Sequence, residues 1–568
     1  MPELDPSTAG VEPRPTPATD APRRLSRRIL LAIGLLLLLL VAALLPPYIN
    51  VNHYQRRIVT SISSSLGRPV HLDNITLNLL PLPSFTLQNF VVDEDPAFGA
   101  EPTIRANTVV ARLRASSLWR RRVEFSSISF EDPSVNLVHN SNGQWNLDGI
   151  LLQASRVSSA PTSNKHSGPA PRFPYIEATG ARINLKLGQE KTPFSLTDTD
   201  FALWLSDPGH WRFRLKGVPA RTDTDASDTG HLELEASLGK APVLAAVPLN
   251  LHATWSAPPL GQTSRLLTGA DAGLRGEMSL TVEANGTVGQ AALHTRLHLA
   301  NLRRDQFVPD HPLTIDVDCL SNARSQFHTF TAIRCSWPVA GTDHSIVALT
   351  GEIPDLRTSH VLALQLGATR LPANTVLGWL RVASRGFPTQ LKAVGYLNGT
   401  LAYDTTGPAT SSSPWNGQAT FGPLSLESPA LDAKAVAVGE LNFTTAPLAP
   451  AAAHHTPGTS APSHGVTLRA TPIDLGAAQP AAVEGSFDRT GYHLHLFGPV
   501  LLSRVHALAQ AIPRFGEGLN LVLPQSSVPQ PTRVDLTATR NWGGPQIWSN
   551  NSALPQRAPT PSHRTHRR

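Results

Sequence analysis

At 568 residues the chain is about four times a typical ~150-residue domain, long enough for one large core or several small ones. Apolar residues make up 41% and charged residues only 16%, against roughly 25% in ordinary soluble domains, and there are 50 prolines and 40 glycines. Those figures exclude a coiled coil, a long helical bundle and a wholly disordered chain. A net charge of +6 over this length is a weak field, so no nucleic-acid partner is indicated.

The first predicted element is an N-terminal apolar helix. Ile29 to Leu45 reads ILLAIGLLLLLLVAALL and is uncharged throughout. At 1.5 Å per residue it would be about 26 Å long, close to a ~30 Å hydrocarbon core. Arg23, Arg24, Arg27 and Arg28 precede it, Pro46 and Pro47 follow it, and Tyr48 suits the headgroup level. The positive-inside rule then puts residues 1–28 in the cytoplasm and the bulk of the chain across the membrane. The alternative, a cleavable signal peptide, fits less well: the apolar run is long and Val41-Ala42-Ala43 is a poor cleavage site.

Beyond residue 50 the dominant period is two. Leu77 and Leu79, Phe85 and Leu87, and Ile183, Leu185 and Leu187 alternate with polar residues. So do Leu232 and Leu234, Leu280 and Val282, and Leu494 and Leu496. Alternation of this kind describes antiparallel strands with one apolar and one wet face. Asn142-Gly143, Asp207-Pro208-Gly209 and Asn285-Gly286 read as turns between them. Helical pattern is confined to Tyr54–Leu66, Asn374–Ser384 and Pro499–Ala511. Strands ending near Leu299, Leu366 and Leu496 each precede a non-strand excursion, which suggests stacked β units of about 65 residues. Residues 153–172, 404–414 and 446–465 read as low-complexity loops, and 550–568 as a basic tail.

Catalytic and cofactor signatures are missing: no HExxH, P-loop, GxSxG or strand-to-helix GxGxxG occurs. The chain is therefore expected to be non-enzymatic and cofactor-free. His454, His455 and His464 lie in an acid-poor loop, and His493 with His495 share a strand face; neither group reads as a metal site. The pairs Asp223/Asp225 and Asp316/Asp318 lack an acid/base partner. Cys319 and Cys335 are the only cysteines; an oxidising compartment would let them pair, and two separate thiols are the alternative.

Residues 28–155 carry a resemblance. A single N-terminal span is followed by a short amphipathic helix, then Gly67-Arg68-Pro69-Val70 and the hairpin Leu80-Pro81-Leu82-Pro83-Ser84-Phe85-Thr86-Leu87 with Asn89-Phe90-Val91. Ser117-Leu118-Trp119, Pro133-Ser134-Val135-Asn136-Leu137 and Asn142-Gly143-Gln144-Trp145-Asn146-Leu147 continue it. Together these resemble the AsmA family of Gram-negative envelope proteins, and Gly395–Leu401 with Trp415-Asn416-Gly417 resembles the family's C-terminal part. The resemblance implies a mainly β fold: one transmembrane helix, then an elongated, curved, antiparallel β-groove built of repeats, with a few short helices. It implies an inner-membrane anchor from Ile29 to Leu45, a periplasmic bulk, phospholipid or another envelope lipid as ligand, and a role in outer-membrane assembly alongside the proteins that perform it. No catalytic residue is carried over.

The expected organisation is a cytoplasmic segment 1–28, an anchor 29–47, an N-terminal β module 48–152, a loop 153–172, a repetitive groove 173–445, a loop 446–465, a C-terminal module 466–549 and a tail 550–568. The alternating residues named above, Leu77 to Leu496, are the expected groove lining. Alternation alone would equally suit a closed sandwich. About 25 strands at ~4.8 Å would make a sheet on the order of 120 Å long.

Overall fold

The computed structural model describes residues 23–44 and, with gaps, 55–552; the longer gaps are 115–124, 147–173, 340–345, 407–414, 448–463 and 524–529. Helix α1 (Arg23–Leu44) is uninterrupted and, at 1.5 Å per residue, about 33 Å long. Its described side chains, Ile29 to Val41, are all exposed. Among the described residues no helix is long and apolar enough to cross a membrane. Leu45, the expected end of the anchor, lies outside the described residues, as do Pro46 and Pro47.

All described strands join one sheet of twenty-eight. At its N-terminal end β1 (Val70–His71) and β2 (Asn74–Asn78) pair with β3 (Ser84–Val92), and β3 pairs with β4 (Ile104–Leu113). Strands β5 (Phe125–Glu131) and β6 (Ser134–His139) pair with β4. Both then lie parallel to β7 (Tyr175–Leu187), β5 along its first half and β6 along its second. This departs from the expected wholly antiparallel sheet. Parallel neighbours need a crossover of a dozen residues or more, and the connection from His139 to Tyr175 supplies it. The Pro/Ser-rich stretch 153–172 falls within that connection and outside the described residues.

From β7 an antiparallel meander continues, each strand pairing with the next. It comprises β8 (Glu190–Asp207), β9 (His210–Arg221), β10 (His231–Leu238), β11 (Pro248–Pro259) and β12 (Leu274–Thr287). It continues through β13 (Gln290–Arg304), β14 (Leu313–Arg324), β15 (Thr329–Pro338), β16 (Ile346–Ile353) and β17 (Ala363–Pro372). Asp207 pairs with His210, so β8 and β9 are joined as a hairpin, with Pro208 outside the described residues, whereas Asn285 and Gly286 belong to β12 and the chain reverses after them at Val288-Gly289. Gly286 is needed for a close approach: a Cβ there would stand 2.5 Å from the Gln290 carbonyl oxygen.

At the C-terminal end β18 (Lys392–Val394) leaves the meander, while β19 (Tyr396–Asp404) and β20 (Trp415–Phe421) continue it. Strands β21 (Leu424–Glu427) and β22 (Val436–Val438) form a side ribbon with β18 that rejoins at β24. The main path then runs through β23 (Leu441–Pro447), β24 (His464–Ile473), β25 (Ala481–Phe487), β26 (Gly491–Val500), β27 (Thr532–Asn541) and β28 (Ile547–Asn550). The ends of the expected 446–465 loop are thus strand, and residues 448–463 lie outside the description.

Among the described residues three helices of eight or more residues interrupt the meander: α2 (Leu260–Thr268), α3 (Ala373–Ala383) and α4 (Leu502–Ala511). The sequence pattern anticipates α3 and α4, the latter starting three residues later than expected, but not α2. Helices α2 and α3 are built alike. A bulge in the preceding strand carries a positive-φ residue (Ala257 at 56°, Arg370 at 48°), followed two residues on by a proline at φ −60° that opens the helix. The strand containing Leu299 leads into a turn, not a helix, so its non-strand excursion is built differently from those of α2 and α3.

Apolar burial concentrates at the two ends. The larger cluster packs α4, through Leu502, Val505 and Leu508, against β22, β26 and β27. The N-terminal cluster gathers Val70, Ile75, Leu87, Phe90 and Val109, with Val59 and Ile62 from the helical residues that follow α1 packed against it. Beside it lies a buried polar clamp. Arg68 Nη1 meets Glu94 Oε1 at 2.9 Å, with the side chains only 6% and 1% exposed. Thr103 Oγ1 and Asn146 Nδ2 donate to Glu94 Oε2 at 2.9 and 2.5 Å, and Arg68 Nη2 donates to the Asn146 carbonyl at 3.1 Å. The Gly-Arg-Pro-Val and Gln-Trp-Asn motifs are thereby fastened to each other.

Removing one partner of a buried ion pair leaves the other charge uncompensated, so Glu94→Ala is expected to cost about 3–5 kcal/mol in denaturant unfolding of the N-terminal end. Cys319 and Cys335 are paired as a disulfide between directly opposed residues of β14 and β15, closing a loop with a sequence separation of 16. Its removal by Cys319→Ala/Cys335→Ala is expected to lower stability by about 3 kcal/mol, read as a shift in the denaturation midpoint. An unchanged midpoint would refute that role.

Candidate functional site

Between the closed ends the sheet keeps one apolar face without a second layer. The backbone register lets one row be followed from strand to strand. It passes from Phe201 to Leu215, Leu234, Ala253 and Val282. It then continues through Thr295, Cys319, Cys335, Leu349, Leu366 and Leu401. A second row runs Leu232–Trp255–Leu280–Leu297–Val317. Buried residues on these rows are few; most side chains are partly exposed, and Leu366 and Leu401 are 40% and 37% exposed.

Two borders flank the open strip. Along one, Leu260 of α2 and Val382 of α3 close over Leu302, while Val376 and Trp379 of α3 pack beside Val347 and Leu371. Arg304 Nη1 donates to the Val382 carbonyl at 2.6 Å and Nη2 to Ala272 at 3.0 Å, holding these helices in place. Along the other border a small cluster of Ala284, Ala291, Leu293 and Ala323 is covered by Phe327 and Phe330. Bulges recur on the helix side of β11, β12, β13 and β17. Each bends its strand and increases its twist, so the sheet curves along that border.

The opposite face is a ladder of charge pairs. Lys216 meets Glu233 at 2.8 Å and Arg214 meets Glu235 at 2.9 Å across β9 and β10. His294 meets Asp318 at 2.8 Å and His298 meets Asp316 at 2.5 Å across β13 and β14. The Lys216 hydrogen bond holds the Glu233 carboxyl below its usual range, and Glu233 in turn raises Lys216. Asp316 and Asp318 are therefore members of this ladder, and Asp223 is paired with Arg221 at 2.6 Å.

The expected lining residues divide into three groups. Ile183, Leu185, Leu232, Leu234, Leu280 and Val282 are partly exposed on the open part of the sheet, and Leu187 is 56% exposed. Leu77, Phe85 and Leu87 pack into the N-terminal cluster, and Leu494 and Leu496 into the C-terminal one. These five fill closed cores because helical segments cover their faces, which strand alternation does not encode. Leu79 lies outside the described residues.

Among the described residues no group of three or more His, Cys, Asp or Glu is placed to hold a metal. His454 and His455 lie outside the description, and His464 opens β24. His495 is held between Glu484 and Asp535, each 3.0 Å away. Burial by itself lowers its pKa, but the two carboxylates outweigh burial and the net shift is upward from 6.5. A raised folded pKa contributes stability that is full below about pH 6.5 and is lost as pH rises through the folded value. Wild type is therefore expected to lose stability relative to His495→Gln on going from pH 6 to pH 8; a constant difference between the two would exclude the coupling.

Fold and face together define a class: a long single-sheet β protein, closed at both ends and open on one apolar side between them. The AsmA family model matches residues 24–193, which take in α1, β1 to β7 and the start of β8. The match covers a little under a third of the chain's length and agrees with the resemblance that the sequence carries. No curated protein and no solved structure matches the chain.

Proposed function

We propose that the protein is a non-catalytic envelope factor, held at the inner membrane by the apolar segment Ile29–Leu45 with its bulk in the periplasm, that carries phospholipid along the open apolar face and so supports outer-membrane assembly. The match of residues 24–193 to the AsmA family supports an envelope-related function. The observation that carries the finer reading is the apolar row from Phe201 to Leu401, which stays partly exposed although both ends of the same sheet are closed. Acyl chains resting on such a row gain about 0.8 kcal/mol per buried methylene, while head groups stay in water. The strands carrying the row, β8 to β17 and then β19, number eleven, so the track is about 48 Å long at ~4.8 Å per strand. The rival reading, a membrane-tethered scaffold that binds envelope proteins, rests on the closed end modules.

The two separate by photocrosslinking in cells. A photoreactive residue at position 234 or 282 is expected to capture phospholipid at least five-fold more than one at 233 or 235, whose side chains point into the charge ladder. Equal labelling of the two faces, or capture of protein alone, would reject lipid carriage.

A further inference from the structure

Resting on the reading of the open face as a lipid track, we propose that β11 is its narrow point, where acyl chains pass in single file over Ala253, with Trp255 setting the width on one side and Leu251 closing the other. Three apolar rows reach this part of the sheet, and the register carries only one of them through it. The row Leu215–Leu234–Ala253–Val282 is continuous. The row Leu297–Leu280–Trp255–Leu232 ends at β10, since the residue opposite Leu232 on β9 is Gly217. The row Phe213–Ala236–Leu251 runs on into Ala284 and Leu293, the small cluster under Phe327 and Phe330, and Leu251 itself packs against that cluster. The open floor therefore changes its second row at β11. On β9 and β10 it pairs Leu215–Leu234 with Phe213–Ala236; on β12 and β13 it pairs Val282–Thr295 with Leu280–Leu297. The two stretches meet only at Ala253.

Trp255 is built to stand still. Its indole Nε1 donates to the Thr229 carbonyl at 2.8 Å, so the ring reaches from β11 toward the connection that precedes β10. That connection is itself fixed: Thr229 is 1% exposed and its hydroxyl donates to the Pro219 carbonyl of β9. Gly230, at φ 74°, lets it close on β11, because a Cβ there would stand 2.4 Å from the Ser256 carbonyl oxygen. A partly exposed ring held at its polar end by a buried carbonyl is a wall, whereas Ala253 beside it offers only a Cβ. Rows on one face are two residues apart, so a floor one residue wide measures about 7 Å at ~3.4 Å per residue. Neighbouring alkyl carbons approach to about 4 Å, so one chain rests on such a floor and two abreast do not. A two-chain lipid then passes β11 with one chain following the other.

The test uses the full chain in cells, with a photoreactive residue at position 234 on one side of β11 or at 317 on the other, and captured phospholipid is measured by mass spectrometry. Ala253→Phe is expected to cut capture at one of the two positions at least five-fold and to leave the other within two-fold; the position that keeps its lipid marks the end from which lipid arrives. His252→Phe, which puts the same ring on the opposite face of the same strand, is expected to stay within two-fold at both. The exchange Ala253→Phe/Trp255→Ala moves the ring from one row to the other and is expected to restore capture to within two-fold of wild type. Capture at both positions that survives Ala253→Phe overturns the narrow point and leaves the track standing. A loss at both positions, a loss that the exchange does not restore, or the same loss in His252→Phe overturns the narrow point as well. Capture at neither position in the otherwise unaltered chain overturns both the track and its narrow point.

Discussion

An antiparallel ladder satisfies the backbone of every strand it joins, yet it leaves two faces that must each be matched to a surrounding medium. In this protein everything turns on how one of those faces is covered. At the N-terminal end the short helical segment carrying Val59 and Ile62 covers it, and at the C-terminal end α4 and the β18–β21–β22 ribbon do so. Between them α2 and α3 cover only a border. The hydrophobic surface left over is the same kind as in the cores, and it is spread along the register instead of being gathered into a centre. A track for an apolar ligand requires that arrangement.

Leaving such a face uncovered brings a hazard, since apolar sheet surfaces and open edges invite stacking with other copies. Three features oppose it. The opposite face carries paired charges from β9 to β14, which are costly to desolvate against a second sheet. The bulges curve the sheet, so two copies cannot lie flat on each other. The disulfide between Cys319 and Cys335 sits within the row itself and locks two strands in register where no core lies above them. A slip of one residue there would exchange the apolar row with the charge ladder.

Much of this is legible in the sequence because strand alternation is a local signal. Leu232-Glu233-Leu234-Glu235 and Leu313-Thr314-Ile315-Asp316 announce both the strands and their two-faced character. Three features were not legible, each for a definite reason. Whether an alternating strand ends in a closed core or on an open face depends on what lies over it, and Leu232 and Leu494 have the same pattern with opposite outcomes. The parallel seating of β5 and β6 on β7 is long-range pairing with no local signature. Helix α2 is hidden because Gly261, Thr263 and Ser264 are weak helix formers held by tertiary contacts; its signal was the preceding Ala-Pro-Pro, which matches the Arg-Leu-Pro before α3 only once the bulges are seen.

If the row is the proposed lipid track, its composition bears on how a chain would move along it. Within the stretch from Leu234 to Cys335, the residues between the two ends are Ala253, Val282, Thr295 and Cys319. Small side chains give a shallow, even floor, and the larger rings lie to the sides, with Trp255 in the neighbouring row and Trp379 in the helical border. Burial free energy along such a floor is nearly the same from one strand to the next, because each step exchanges one aliphatic contact for another of similar area. A deep pocket of large rings would hold one chain tightly at one place; a graded floor of small residues holds it about equally everywhere. The closed ends are the complement of this property: there the same kind of aliphatic surface is covered by the protein's own side chains.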